Sequence, residues 1–133
     1  MPVFHAHIPA GRFSKEQKKA IGNALNRSLT EGLGIPAGDR FIVISEHHDD
    51  ELFIDPTFMD MSRTADAMII TVQLGAHRPL EEKRTLLATI ARLLEETVGI
   101  SPDDVFTSII PVPIENFSFG RGIAQLAGIA PRW

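Results

Sequence analysis

A proline stands second in the chain, directly after Met1, where a reactive amine can arise. Proline has no N–H to give a strand and is confined to a strand's first residue or its edge. Initiator methionine is usually removed before a small residue, and its removal here would leave Pro2 with a free secondary amine. An α-amino group titrates at about 8, and burial in an apolar pocket lowers that pKa. Pro2 is therefore either a general acid or base for neutral pH or an ordinary chain start.

Arg78 occupies a position where a cation is unexpected. The pattern that begins at Pro79 predicts a helix, and positive charge is disfavoured at a helix N-terminus. A bound anion would resolve the conflict, because a guanidinium holds a carboxylate in a bidentate fork and a helix N-terminus attracts anions. The alternative is a solvated arginine, or one paired with Glu81 or Glu82. The adjacent His77 is either a hydrogen-bond donor to the same ligand or a surface residue.

Two groups of histidines invite a metal interpretation. Residues 47–51 read HHDDE, but five consecutive side chains cannot converge on one ion from an extended backbone. No distant ligand pair with zinc-like spacing accompanies them, so we interpret this segment as solvated linker and predict no metal and no cofactor. His5 and His7 alternate along a predicted strand and share one face. A metal site is conceivable there, but packing at a subunit interface is favoured.

The chain repeats itself at an offset of 65 positions, which places Glu16 on Glu81. Each half reads strand, helix, strand. The predicted strands cover residues 3–8, 41–44, 68–74 and 105–110. A capping box at residues 14–17 opens the first helix, and Gly34 closes it. The second helix begins near Pro79 and ends at Gly99.

These elements predict an α+β fold made of tandem βαβ units, with a four-stranded mixed sheet and two helices on one face. The units span about residues 2–46 and 67–111, with a linker at 47–66 and a C-terminal segment at 112–133, all in a single domain 1–133. Because a helix connects the two strands of each unit, we expect those strands to be parallel and the connection to be right-handed. The other sheet face would be left uncovered, so we expect more than one copy of the chain to associate.

The composition excludes several classes of protein. A length of 133 residues, 44% of them hydrophobic and 23% charged, is typical of one globular domain. The absence of cysteine excludes thiol chemistry and fits a reducing cytoplasm, which we predict as the location. A net charge of −4 without a basic stripe argues against nucleic acid. No signal peptide and no apolar run of membrane-spanning length is visible, so no membrane partner is expected.

Three features together resemble the tautomerase superfamily, in its 4-oxalocrotonate tautomerase-like form. They are the proline behind methionine, the tandem βαβ chain of this length, and the run FSFGRG at residues 117–122. The segment GIPAGDRF at residues 34–41 is most similar to the malonate semialdehyde decarboxylase-like branch. The resemblance covers nearly the whole chain. It implies a homotrimer with a proline-based active site near the subunit boundaries.

The resemblance also assigns roles to individual residues. It implies that Pro2 is the catalytic proline, that Asp39 is the aspartate of the decarboxylase branch, and that Arg78 binds substrate. It implies further that Phe117 and Phe119 form an aromatic wall around the substrate.

Some positions depart from that pattern or have an alternative role. The decarboxylases are expected to carry a second arginine two residues before Arg78, where this chain has Ala76. Asp39 is either a site residue or a turn residue, and its repeat mate Asp104 is given only the turn role. Arg40 is either a second anion contact or, more in keeping with its context, an ion-pairing surface residue.

The expected function is proton transfer on a small carboxylate, namely keto–enol tautomerisation of a 2-keto acid by neutral Pro2. A decarboxylase of a 3-oxo acid such as malonate semialdehyde is the alternative enzyme, with protonated Pro2 polarising the carbonyl and Asp39 assisting. A non-catalytic trimeric binding protein is the alternative outside enzymes.

Overall fold

The structure, a computed structural model, describes residues 1–131, so the last two residues of the predicted C-terminal segment lie outside the described residues. Four strands and two long helices follow one another in the expected order, which is strand, helix, strand in each half of the chain. They are β1 Val3–Pro9, α1 Lys15–Leu33, β2 Ile42–His47, β3 Met68–Gly75, α2 Leu80–Val98 and β4 Val105–Val112.

The ends of both helices follow from local sequence. Ser14 caps α1 by accepting a hydrogen bond from the Gln17 N–H, and the Gln17 side chain accepts one from the Ser14 N–H in return. Both helices close on a glycine in the left-handed conformation, Gly34 with φ 67° and Gly99 with φ 75°. Glycine adopts this conformation without the Cβ strain that other residues carry. Pro79 stands just before α2 instead of in its first turn.

The strands lie in the order β2-β1-β3-β4. Each βαβ unit supplies one parallel pair, with Phe4 opposite Ile42 in the first and Met68 opposite Val105 in the second. The two units meet in the antiparallel pair of β1 and β3, where Phe4 lies opposite Val72. The predicted α+β fold with a four-stranded mixed sheet is confirmed.

The hydrophobic core lies between the sheet and the two helices. Alternate residues of the central strands are fully buried there, among them Phe4 and Ile8 of β1 and Ile70 of β3. The helices cover them with Leu25 and Ile90 among others. Each side chain of this size contributes about 1.5–3 kcal/mol when it is fully buried. The core therefore holds the two helices firmly against one face of the sheet.

The opposite sheet face has no covering layer within the described residues. Val43, Phe106 and Ile110 all lie on it, and 51%, 49% and 42% of their surfaces are exposed. No helix of residues 1–131 combines the length and apolar character that a membrane crossing needs.

The segment between the units is more ordered than a polar linker suggests. His47 belongs to β2, since it pairs with Pro9. The buried Asp104 carboxylate accepts hydrogen bonds from the Thr64 N–H and the Thr64 hydroxyl, both at 2.6 Å. Asp104 therefore does more than the turn role expected of it, because it ties the linker to the start of β4. The same linker leaves Phe53 81% exposed.

Candidate active site

The N-terminal amine lies in a buried position at the start of β1. Met1 and Pro2 are both buried, and the Met1 amine forms an ion pair with the Asp39 carboxylate. Only 10% of the Asp39 side chain is exposed. Since Pro2 directly follows, its nitrogen stands one residue inward of the amine that contacts Asp39. The sequence-predicted Pro2 and Asp39 are thus brought to one location, although they are far apart in the chain.

Asp39 closes a tight turn just before β2. Its N–H donates to the Pro36 carbonyl at 3.0 Å, and Ala37 within the turn accepts a hydrogen bond from the Asn26 side chain at 3.3 Å. The Oδ1 atom of Asp39 is buried and has no hydrogen-bond partner among residues 1–131. Asp39 therefore combines the turn role and a place beside the amine, and one of its oxygens is available to a further donor.

Arg78 is buried between the end of β3 and the start of α2, with 7% of its surface exposed. Its Nη1 donates to the Glu82 carboxylate at 3.2 Å, which is the ion pair considered as the alternative to a ligand role. Its Nε is buried, and nothing in the described part of the chain accepts its hydrogen. A buried donor of this kind costs free energy unless a partner satisfies it. Arg78 therefore forms the ion pair with Glu82 and also keeps its Nε–H available to an anion.

The charges around the amine act on its pKa in opposite directions. Burial is the largest influence and lowers the pKa of the amine below its ordinary value, because desolvation disfavours the ammonium form. The Asp39 carboxylate raises that pKa through its hydrogen bond and its charge, and the positive charge of Arg78 lowers it. The net result is a lowered pKa, which favours a neutral amine that can accept a proton.

The two predicted wall residues lie in the segment that follows β4. Phe119 packs against Phe41 with their ring centroids 5.8 Å apart, and Phe41 is two residues beyond Asp39. Gln125 fixes this segment by accepting from the Phe119 N–H at 3.0 Å and donating to the Gly120 carbonyl at 3.0 Å. Phe117 is half-buried at the end of a 3₁₀ turn, Ile114–Asn116. Phe119 is therefore connected to the site through Phe41.

His77 directly precedes Arg78 in the chain. It lines a cavity of about 290 Å³ together with Ile114 and Glu115, and Met1, Asp39 and Arg78 do not line that cavity. Its ring covers Gly75 so closely that a Cβ at that glycine would stand 2.7 Å from the imidazole. A substrate contact by His77 stays a prediction. The guanidinium of Arg40 donates to the neutral Asn23 side chain at 2.7 Å, and within residues 1–131 Arg40 forms no ion pair, contrary to the surface ion pair expected of it.

The sequence interpretation missed Asn23, Asn26 and Phe41. The two asparagines lie three positions apart within α1; Asn26 contacts Ala37, two residues before Asp39, and Asn23 contacts Arg40, the residue after it. Asparagine is a poor residue for a helix interior, so two of them one turn apart were a usable signal. Phe41 was assigned only to a strand, although its ring is 44% exposed and supports Phe119.

Histidines form a second polar cluster, on the uncovered face of the sheet. The rings of His5 and His7 stack with centroids 4.0 Å apart, and His7 Nδ1 lies 2.8 Å from His47 Nε2. Burial, followed by the charges of His5 and His47, lowers the pKa of His7. Within residues 1–131, no set of three or more His, Cys, Asp or Glu side chains is arranged to hold a metal ion.

The tandem βαβ architecture and its mixed sheet are those of the tautomerase fold. A solved fused 4-OT wild-type asymmetric trimer has the same fold, with a TM-score of 0.76, 21% identity, and coverage of 95% of this chain and 98% of that chain. Two family models, each described as tautomerase enzyme, match residues 2–59 and 39–120. The chain belongs to the tautomerase superfamily.

Individual relatives cover almost the full length. The probable tautomerase YusQ of Bacillus subtilis (strain 168) is 30% identical over 126 residues, which are 95% of this chain and 98% of that protein. A solved FG41 malonate semialdehyde decarboxylase, inhibited by 3-bromopropiolate, is 31% identical with a TM-score of 0.86 and 93% coverage of both chains. A second malonate semialdehyde decarboxylase, studied for its decarboxylase and hydratase activities, is 28% identical with a TM-score of 0.86 and coverage of 92% and 94%. Similarity to the decarboxylase branch thus accompanies membership of the superfamily.

Proposed function

We propose that this chain catalyses keto–enol tautomerisation of a small 2-keto carboxylate, with its N-terminal amine as the proton carrier. The observation that carries the proposal is the buried amine between Asp39 and Arg78, whose pKa is lowered by burial. A neutral amine near physiological pH is the form that can remove a proton from carbon.

Removal of Met1 makes Pro2 the terminal residue and its ring nitrogen the reactive amine. The nitrogen has no flexible stem, so the first strand of the sheet aims it. Its immediate surroundings are those of the buried Met1 amine, one residue away. The same influences would act on it, with burial and Arg78 favouring the neutral form and Asp39 opposing them.

The reaction then follows from the positions of the charges. Arg78 binds the substrate carboxylate through the side of its guanidinium that Glu82 leaves free. The neutral amine takes a proton from the enol oxygen or from carbon, and the resulting ammonium returns it at the other position. Phe117 and Phe119 exclude water, and substrate contact by His77 is retained as part of the proposal.

Decarboxylation of a 3-oxo acid such as malonate semialdehyde is the second candidate. Two observations favour it: the 28–31% identity to malonate semialdehyde decarboxylases and the contact of Asp39 with the amine. An ammonium would donate a hydrogen bond to the 3-oxo oxygen while the bond to the carboxylate breaks. The electron pair of that bond would form the enolate as carbon dioxide leaves. Ala76 weighs against this candidate, because the second expected arginine is absent there.

We further propose a homotrimer. The support is the uncovered sheet face with its exposed Val43, Phe106 and Ile110, which is a large apolar surface for a single chain. Association of copies would bury this face. The cytoplasmic location given by the sequence stays a prediction.

A two-substrate assay tests the proposed activity. Ketonisation of phenylenolpyruvate is followed by absorbance, and decarboxylation of malonate semialdehyde by release of carbon dioxide. The proposal expects the first activity to exceed the second, and expects acetylation of the terminal amine to abolish both. An acetylated protein that keeps the full rate would overturn it. Binding of a carboxylate without turnover of either compound would instead favour the non-catalytic binding protein.

3-Bromopropiolate offers a chemical probe of the same amine. It inhibits the FG41 malonate semialdehyde decarboxylase. Its carboxylate suits the guanidinium of Arg78, and its activated triple bond suits attack by a neutral amine.

A further inference from the structure

We infer that Asn23 and Asn26 of α1 form a clamp that holds Asp39 against the terminal amine. Asn26 donates from Nδ2 to the carbonyl of Ala37, two residues before Asp39, at 3.3 Å. Asn23 accepts from the guanidinium of Arg40, the residue after Asp39, at 2.7 Å. The carboxylate that touches the amine thus lies between two tethers to one helix. These asparagines are positioning residues, and the inference rests on the proposed role of the amine.

The cost of Asn26 within its helix indicates that it serves more than helix stability. Asn26 is buried, with 8% of its surface exposed, and its Oδ1 has no partner in the described part of the chain. Asparagine is also less favourable in a helix interior than leucine or alanine. An apolar residue would remove the unsatisfied oxygen and improve the helix. What only the amide supplies here is the hydrogen bond to Ala37.

Asn23 acts on the other side by occupying Arg40. A guanidinium directly after Asp39 is a natural partner for that carboxylate, and such a pair would compete with the amine. The structure instead lays Arg40 on the helix, where its Nη2 reaches Asn23 and lies 3.9 Å from the position that a Cβ at Gly22 would take. Holding Arg40 on α1 keeps the Asp39 carboxylate available to the amine.

A measurement of the pKa of the terminal amine tests the clamp, and it requires no knowledge of the substrate. The protein is labelled with ¹⁵N, and the chemical shift of its terminal nitrogen is followed against pH. Asp39→Asn removes the charge that raises the amine pKa, so that pKa falls. The clamp predicts a fall in the same direction, but smaller, for Asn23→Ala, Asn26→Leu and their combination. Thr30→Ala is the matched control, because Thr30 is on α1 and its hydroxyl bonds only within the helix, to Arg27.

A double-mutant cycle separates positioning from general loosening of the fold. In the Asp39→Asn background the two asparagine substitutions should cause no further change, because their effect passes through Asp39. A further fall in that background, or an unchanged amine pKa in the doubly substituted protein, would overturn the clamp. Should the buried substitution prevent folding, Asn23→Ala at its exposed position carries the same test. An amine pKa that does not respond to Asp39→Asn, or one that responds to Asp39→Asn but to neither asparagine substitution, would overturn the clamp, whereas the proposed function falls only if acetylation of the amine leaves the activity intact.

Discussion

Asp39 and Arg78 have opposite effects on the pKa of the terminal amine. Asp39 raises the pKa of the terminal amine and Arg78 lowers it, while burial sets the overall direction downward. The balance decides whether the amine is a base for tautomerisation or an acid for decarboxylation. Under the proposed mechanism we therefore expect substitution of either residue to change both the rate of catalysis and its dependence on pH.

Substitution of Arg78 by glutamine should weaken catalysis strongly. Loss of one charge-assisted hydrogen bond costs about 1.5–3 kcal/mol, so kcat/KM should fall roughly ten- to 150-fold. The acid side of the pH profile should also move to higher pH, because Arg78 no longer lowers the amine pKa. Steady-state kinetics of Arg78→Gln, and of Arg84→Gln at an exposed position within α2, measure both effects. Equal losses in the two variants would show that Arg78 holds no substrate.

Substitution of Asp39 by asparagine should separate the two candidate reactions. The amine pKa falls when the carboxylate charge is removed, so a neutral base forms at lower pH than in the parent protein. The acid side of the tautomerase profile should move to lower pH, and decarboxylation, which needs the ammonium, should decline at neutral pH. Profiles of kcat/KM against pH on both substrates test this. A tautomerase profile that moves to higher pH would contradict the assigned charges.

Sequence signals within a few neighbouring residues predicted the helices and strands well. They could not predict the contacts between residues that are distant in the chain. The capping box at Ser14 and the glycines at positions 34 and 99 fixed both helices, because those interactions are confined to a few neighbouring residues. The shape of the linker depends on Asp104, a partner 40 positions from Thr64. The tether from Asn26 to Ala37 likewise crosses from a helix to a loop. Of the site, Arg78 was accessible to sequence reasoning because its charge conflicts with the helix that follows it.

The histidine cluster between β1 and β2 should make stability fall in mild acid. The pKa of His7 is lowered in the folded protein, so the unfolded chain binds a proton first as the pH falls below about 6.5. The contribution of His7 to the free energy of unfolding should therefore be fully present above that pH. It should decrease as the pH falls below it and be lost once the pH has passed the pKa of His7 in the folded protein. Urea titrations between about pH 7.5 and 5 should give a shallower loss for His7→Phe than for the parent. His48→Phe, at an exposed position outside the cluster, should follow the parent, and identical curves for all three proteins would contradict the assignment.

One face of the sheet exposes apolar side chains, and nothing within a single chain accounts for that exposure. The helices bury the core on one side, and apolar side chains remain exposed on the other. The proposed active site lies at an end of the same sheet, beside the partly exposed Phe41 and Phe119. Association through the sheet would bring neighbouring copies close to these rings.

Sedimentation equilibrium at micromolar concentration should give about three times the 14.6 kDa of the chain. Ile110→Lys places a charge on the uncovered face and should shift the mass toward that of the monomer, because the charge would have to be desolvated on association. Leu87→Lys, which changes an exposed leucine on α2, should leave the assembly intact. A parent protein that is monomeric at this concentration would refute the trimer.

The terminal amine is the proposed reactive group of this protein, and mass spectrometry after treatment with 3-bromopropiolate shows whether it reacts. We expect that Met1 is absent, that one adduct forms, and that the adduct resides on Pro2. Labelling should slow below the pKa of the amine, and it should slow in Arg78→Gln, which lacks the guanidinium that holds the reagent. An unmodified terminal residue together with an adduct on a lysine or histidine would show that the terminal amine is not the reactive group.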